Sequence, residues 1–218
     1  MNLSDLTGMF EGRKVWVLGN GPSLDDVNLF SIHRDRCIGV NRILRPGGRN
    51  ENILRSGWAP GFIVFQDVQV WTGVPRRDEG EKERMLQSGS TLIISKHLLD
   101  DSSKLELPLS RCITFEKEKK SVKKVLSGKL CECYLTGTVA AQIAARMVYP
   151  GGTVVLCGMD LRYPKDKNQK DHFYGSGKRI GCRLDRGKEA AKFITSLKNS
   201  LVGKVDFVVV GESLLDFT

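Results

Sequence analysis

The residues best able to do chemistry lie in short groups spread along the chain. Gly19-Asn-Gly-Pro-Ser23 joins two glycines, Gly19 and Gly21, which let the backbone turn sharply and approach a ligand, to Pro22, which suits the first turn of a helix. Ser23 can cap that helix or hydrogen-bond a phosphate, and Asn20 offers both a donor and an acceptor. The free amides of a helix start form an anion site, and the absence of a following Gly-Lys-Ser/Thr separates this group from the P-loop. Asn41 and Asp67 each close an apolar run, where an amide can read a base or ribose and a carboxylate can hold a ribose hydroxyl, a metal ion or an acceptor group. Both residue types are also common turn formers.

Thr136, Gly137 and Thr138 open an Ala-rich stretch and offer a second phosphate cradle, or else an ordinary N-cap. Gly158-Met-Asp160 puts a carboxylate just past an apolar run. His172, in the tract His172-Phe-Tyr174, is a candidate general base because histidine titrates near neutrality. Lys178, Arg179 and Arg183 follow in the same polar loop and can offset the charge of a departing phosphate.

The elements that must position these groups alternate. Short apolar runs at 14–18, 37–40, 62–65, 91–95, 153–157 and 205–210 read as strands, with Cys112 to Phe115 as an edge strand. Helical patterns follow from Leu24 to Phe30, over 139–148, and from Asp185, as N-cap, to Leu201. Gly47, Gly48, Asn50 and Asn52 read as an exposed excursion, the charge-dense 76–84 stretch as a solvated loop or helix, and 97–135 as a mobile flap. This alternation predicts one α/β domain spanning 1–218, a Rossmann-like doubly wound fold with a mostly parallel sheet. Ligands of such sheets bind outside the carboxyl ends of the strands, which gathers 19–23, Asn41, Asp67, 158–160 and 211–213 along one edge.

Composition narrows the class. With 40% hydrophobic and 27% charged residues the chain can fold around a core, and no apolar run approaches the roughly eighteen residues of a membrane span. The start MNLSDLTGMFEGRK lacks a secretory pattern, so a cytoplasmic location is expected. The six cysteines show no zinc-ligand spacing and read as small buried residues, with no resident metal expected. A net charge of +9 points to an anionic partner without choosing among nucleotides, anionic glycans and nucleic acid.

Val-Leu-Gly-Asn-Gly-Pro-Ser-Leu (17 to 24), the strand ending in Asn41, Thr-Gly-Thr (136 to 138) and Gly-Met-Asp (158 to 160) occur in an order that runs over nearly the whole chain. That order resembles a superfamily with two branches. One holds the sialyltransferases of glycosyltransferase family 42 and the motility-accessory-factor transferases. The other holds the 6-hydroxymethylpterin diphosphokinase-like proteins, long called domain of unknown function 115. The first branch implies Asn20, Gly21 and Ser23 at the nucleotide phosphates, Asn41 near the base or sugar of a donor such as CMP-sialic acid, and inverting transfer without a metal. The segment from Asp171 to Lys178 resembles its catalytic loop, but the family's catalytic histidine falls on Ser176, while His172 matches an earlier histidine of that loop. Either His172 has taken over as base or the chemistry differs. The second branch implies diphosphate transfer from ATP with Mg²⁺, for which Asp67 and Asp160 are the candidate pair.

The expected activity is therefore transfer from a nucleotide-sugar donor to an anionic glycan or modified DNA, with no membrane span and no cofactor. The alternatives are an Mg²⁺-dependent diphosphokinase and a non-catalytic nucleotide or nucleic-acid binding protein.

Overall fold

A computed structural model describes residues 2–72, 80–99, 105–119, 122, 125–126, 128–133, 135–162, 172–173 and 184–217. The strands are β1 (Lys14–Leu18), β2 (Cys37–Val40), β3 (Phe62–Phe65), β4 (Thr91–Ser95), β5 (Cys112–Phe115), β6 (Lys117–Glu118), β7 (Leu130–Cys131), β8 (Thr153–Cys157) and β9 (Asp206–Val210). The helices are α1 (Glu51–Arg55), α2 (Val68–Thr72), α3 (Glu81–Gln87), α4 (Thr136–Val148) and α5 (Leu184–Ser200). Seven strands form one sheet in the order β5-β4-β3-β2-β1-β8-β9, every pair parallel, while β6 and β7 make a separate two-stranded ladder. The expected α/β fold of the Rossmann-like, doubly wound kind is present, with Cys112–Phe115 at the sheet edge.

Continuous apolar runs suit strands covered on both faces, and β2 and β3 are buried at every residue. Because side chains alternate, Val15, Val17, Ile38, Val40, Val64 and Ile93 face one layer with α4 and α5. Leu18, Ile63, Phe65, Leu92 and Ile94 face the other, with Leu24, Leu29, Ile43, Trp71 and Met85.

The two layers differ in kind. On the first, α4 is buried along its whole length, and its four alanines let the helix axis approach β1, β2, β3 and β8. Two polar side chains of α4 tie down the neighbouring chain. Gln142 accepts from the Cys131 amide at 2.7 Å and donates to the Cys131 carbonyl at 3.2 Å. Arg146, 1% exposed, donates to the carbonyls of Val125 at 2.5 Å, Gly128 at 2.7 Å and Lys129 at 3.2 Å, and burial pulls its pKa down. The 125–133 part of the expected flap is thus anchored to α4.

On the second layer the helix expected from Leu24 to Phe30 is two 3-10 turns, Pro22–Asp26 and Leu29–Ser31. Polar side chains divert the backbone there, as such residues do when they compete for it. Asn28 accepts from the Phe30 amide at 3.1 Å, and Asp25 accepts from the Arg49 amide at 2.8 Å. Asn50, expected on an exposed excursion, is buried and donates to the Leu24 carbonyl at 3.0 Å. Asp185 lies inside the first turn of α5 rather than capping it. Within the charge-dense stretch α3 is a helix and Glu81 is fully buried, with Arg84 2.8 Å away.

Cys37, Cys131, Cys133 and Cys157 are buried free thiols and Cys112 is half-buried; Cys182 lies outside the described residues. Burial pushes the Cys37 and Cys157 thiols up to about 12, which makes them inert packing groups. No helix among the described residues is long and apolar enough to cross a membrane.

Replacing Arg146 by Met strands three carbonyls and should lower unfolding stability by roughly 3 kcal/mol in a denaturant titration. A change below about 0.5 kcal/mol, the level of an ordinary surface substitution, would show that the anchoring is dispensable.

Candidate functional site

The strand order reverses between β1 and β8, so the crevice at their carboxyl ends is the topological switch point. The two loops that leave these strands are fastened to each other. The Gly19 amide donates to the Cys157 carbonyl at 2.7 Å and the Gly21 amide to the Gly158 carbonyl at 2.8 Å. The approach is close enough to require glycine: a Cβ on Gly21 would lie 2.5 Å from the Asp160 carboxyl carbon, and one on Gly19 would collide with the Gly158 carbonyl.

The turn at Pro22–Asp26 already holds a carboxyl group, that of the chain's own Asp160. The Ser23 amide donates to Asp160 Oδ2 at 3.0 Å and the Ser23 hydroxyl donates to Asp160 Oδ1. The expected contact of Ser23 with a phosphate is therefore replaced by an internal carboxylate, held by the same amide and hydroxyl chemistry. Burial raises the Asp160 pKa above 3.8, opposed by the Ser23 hydrogen bonds and by Arg162. Both carboxylate oxygens are thus engaged by Ser23. Among the described residues no cluster of three His, Cys, Asp or Glu side chains could hold a metal.

Beside this lock lies a cavity of about 240 Å³, close to the lower end of the roughly 300–1,000 Å³ usual for small-ligand sites. Gly19, Asn20, Gly21, Asn41, Asp67, Thr136, Gly137, Gly158, Asp160 and His172, all singled out in the sequence, line it. Three others do not. Pro22 lies in the 3-10 turn, Ser23 turns to Asp160, and Thr138 donates back to the Leu135 carbonyl at 2.6 Å within the first turn of α4. Ser213 supports the site from behind, its hydroxyl donating to the Met159 carbonyl at 2.6 Å.

Two amides in the cavity have unmet needs. Asn20 donates from Nδ2 to the Val40 carbonyl at 2.9 Å, which fixes the orientation of its amide, and its buried Oδ1 has no hydrogen-bond partner. Asn41 sits at φ 51°, a left-handed conformation that asparagine tolerates, and its buried Oδ1 is likewise unpartnered. Leu161, next to Asp160, is at φ 55°, which is strained for a branched side chain. Unpaired buried acceptors cost free energy, and they favour a ligand that donates hydrogen bonds.

His172 reaches the cavity because its neighbour is pinned: the Phe173 amide donates to the Asn20 carbonyl at 2.9 Å and the Phe173 ring is fully buried. Ser176, Lys178, Arg179 and Arg183 lie outside the described residues.

Sequence reasoning missed three cations of the lining, Arg42, Arg162 and Arg186. Arg42 is 7% exposed and donates to the Gln69 carbonyl at 3.2 Å, while Arg162 faces Glu212 at 3.3 Å. Arg42 directly follows Asn41 and Arg162 lies two residues past Asp160, so extending the strand-end rule by two residues would have found both. Arg186, in the first turn of α5, carries no such signal. Gln66 completes the wall, donating to the Thr136 hydroxyl oxygen at 3.2 Å and accepting from Lys117 at 2.8 Å.

No family model, curated protein or solved structure matches the chain. The functional reading rests on the crevice itself.

Two outcomes test its construction. Gly19→Ala forces the β1 and β8 loops apart and should cost about 1–3 kcal/mol of unfolding stability, as overpacking does; an unchanged melting curve would refute the lock. For Asp160, a raised folded-state pKa means that its contribution is complete below 3.8 and is lost as pH rises through the folded value. Asp160→Asn cannot ionise, so the variant should gain stability relative to the parent between pH 4 and pH 7 in urea titrations. An equal difference at both pH values would show that Asp160 is not destabilised as an anion.

Proposed function

We propose that this chain is a transferase that draws its donor, a nucleotide-activated sugar, into the crevice between β1 and β8. The observation that carries the reading is the pair of buried, unpartnered amide oxygens on Asn20 and Asn41 in a polar cavity that arginines and a histidine also line. Amide oxygens accept hydrogen bonds, so they match ribose hydroxyls or an exocyclic amino group. Guanidinium groups match the phosphate, which Arg42, Arg162 and Arg186 supply from three different segments of chain.

In this reaction the acceptor hydroxyl attacks the anomeric carbon of the donor sugar. As the new C–O bond forms, the bond from that carbon to the phosphate oxygen breaks, and the electron pair leaves with the nucleotide. His172 takes the acceptor's proton, and the arginines hold the charge that develops on the departing phosphate. Asp160 positions Gly21 and Ser23, and so the wall that carries Asn20. Asp67, exposed at the rim, is free to take a hydroxyl of the donor.

The test is thermal stabilisation by CMP, CDP, UDP, GDP and their sugars, and by ATP with and without Mg²⁺. A ligand at ~100 times its dissociation constant adds about 2.7 kcal/mol. A metal-independent shift with a nucleotide or its sugar is expected. His172→Ala should keep that shift and lose turnover by about 10²–10⁴-fold. A shift confined to ATP with Mg²⁺ would replace the reading by diphosphate transfer, and full turnover by the His172 variant would remove the assigned base.

A further inference from the structure

On the same carboxyl edge of the sheet, beyond β3, a second cavity of about 430 Å³ opens around the ends of β4 and β5 and the β6–β7 ladder. It shares a wall with the nucleotide crevice. Lys117 lines the second cavity and reaches across with its ammonium group to donate to Gln66 Oε1 at 2.8 Å, and Gln66 lines the crevice.

Several polar groups of this cavity are held in place. Ser95, 5% exposed at the end of β4, has its Oγ 2.7 Å from His97 Nδ1, which fixes the exposed imidazole ring. Glu116 is gripped by Lys96 at 2.5 Å and by Lys129, and the two ammonium groups keep its carboxyl down at about 2. The lining alternates in sign along the chain, with Glu116, Lys117, Glu118 and Lys119 in succession and Glu132 nearby.

That pattern selects a class of ligand. Three lysines and three glutamates leave the lining without net charge, so it lacks the excess of cations that binds a phosphate backbone. A sugar hydroxyl donates one hydrogen bond and accepts two, so vicinal hydroxyls need fixed acceptors and donors side by side. Carboxylates beside ammonium groups, among them the fixed Glu116, Lys96 and Lys117, meet that need. The +9 charge of the whole chain is thus absent from this wall.

We infer that the second cavity is the acceptor subsite and that it takes a polyhydroxylated saccharide, with Lys117 and Gln66 forming the partition across which the acceptor hydroxyl meets the donor. This rests on reading the β1–β8 crevice as the donor site. Placing the acceptor beside Gln66 also explains why a glutamine stands there, joined on one side to Lys117 and on the other to Thr136 at the start of α4.

The experiment is saturation-transfer NMR with lactose, N-acetylglucosamine and methyl galactoside, in the presence of the nucleotide that gives the largest thermal shift. The wild type is compared with His97→Ala, Lys119→Glu and Glu132→Gln, three exposed positions whose variants are checked for an unchanged melting temperature. At least one saccharide should give contacts in the wild type, weakened about tenfold in the variants, the effect of losing one hydrogen bond to a charged group. The nucleotide shift should be the same in all four proteins. Saccharide binding that is equal in wild type and variants, or absent throughout, overturns the inference while the donor reading stands. Binding of a single-stranded oligonucleotide that is lost in the same variants overturns it in favour of a nucleic-acid acceptor. No nucleotide shift in the wild type, with saccharide binding intact, overturns the donor reading and with it the role of acceptor subsite.

Discussion

A carboxylate seated on the turn that follows β1 governs the rest of this site. Asp160 comes from the loop after β8, yet it accepts from the amide and the hydroxyl of Ser23, in the loop after β1. Adjacent parallel strands have no short connection between them, so the loops at their carboxyl ends are free to diverge. Here they are brought together by that carboxylate and by the bonds from Gly19 to Cys157 and from Gly21 to Gly158. Glycine on both sides permits the contact, since a side chain at position 19, 21 or 158 would meet backbone or carboxylate atoms.

On the proposed function, side chains rather than turn amides hold the ligand. An anion site made of turn amides is common at the start of such folds, but here the amide of Ser23 is spent on Asp160. The cavity presents side chains instead: the amides of Asn20 and Asn41, and guanidinium groups from the loop after β2, from the loop after β8 and from α5. Preorganisation has a local cost, visible in the left-handed backbone at Asn41 and Leu161 and in the two unpartnered amide oxygens. The sheet and α4 supply the stability that tolerates it.

The helix α4 links the two cavities. Its first residue, Thr136, lines the crevice and accepts from Gln66, and its Gln142 and Arg146 hold the segment from Val125 to Cys133 that carries β7. Because β7 pairs with β6, Lys117 and Glu118 of the second cavity are set in place by the same helix that closes the first. Burying the Arg146 guanidinium is costly, and hydrogen bonds to the carbonyls of Val125, Gly128 and Lys129 offset that cost while satisfying three acceptors.

Apolar runs of four to six residues, each closed by a glycine or a polar residue, determined the strands, their parallel arrangement and the edge at which the site must lie, because burial of both sheet faces demands that pattern locally. Most of the cavity lining was legible for the same reason: Asn20, Asn41, Asp67 and Gly158 each fall just beyond a strand. What surrounds them was decided by the tertiary structure. The pairing of Ser23 with Asp160 spans 137 residues, and the contact of Lys117 with Gln66 spans 51. The identity of a serine or a lysine does not say which distant group it will meet. The helix expected after β1 became a 3-10 turn because Asp25 and Asn28 found backbone partners there, one of them brought in from Arg49. Propensity and periodicity are properties of neighbours in sequence, whereas the choice between a bound phosphate and an internal carboxylate at Ser23 depends on how the sheet brings the ends of β1 and β8 together.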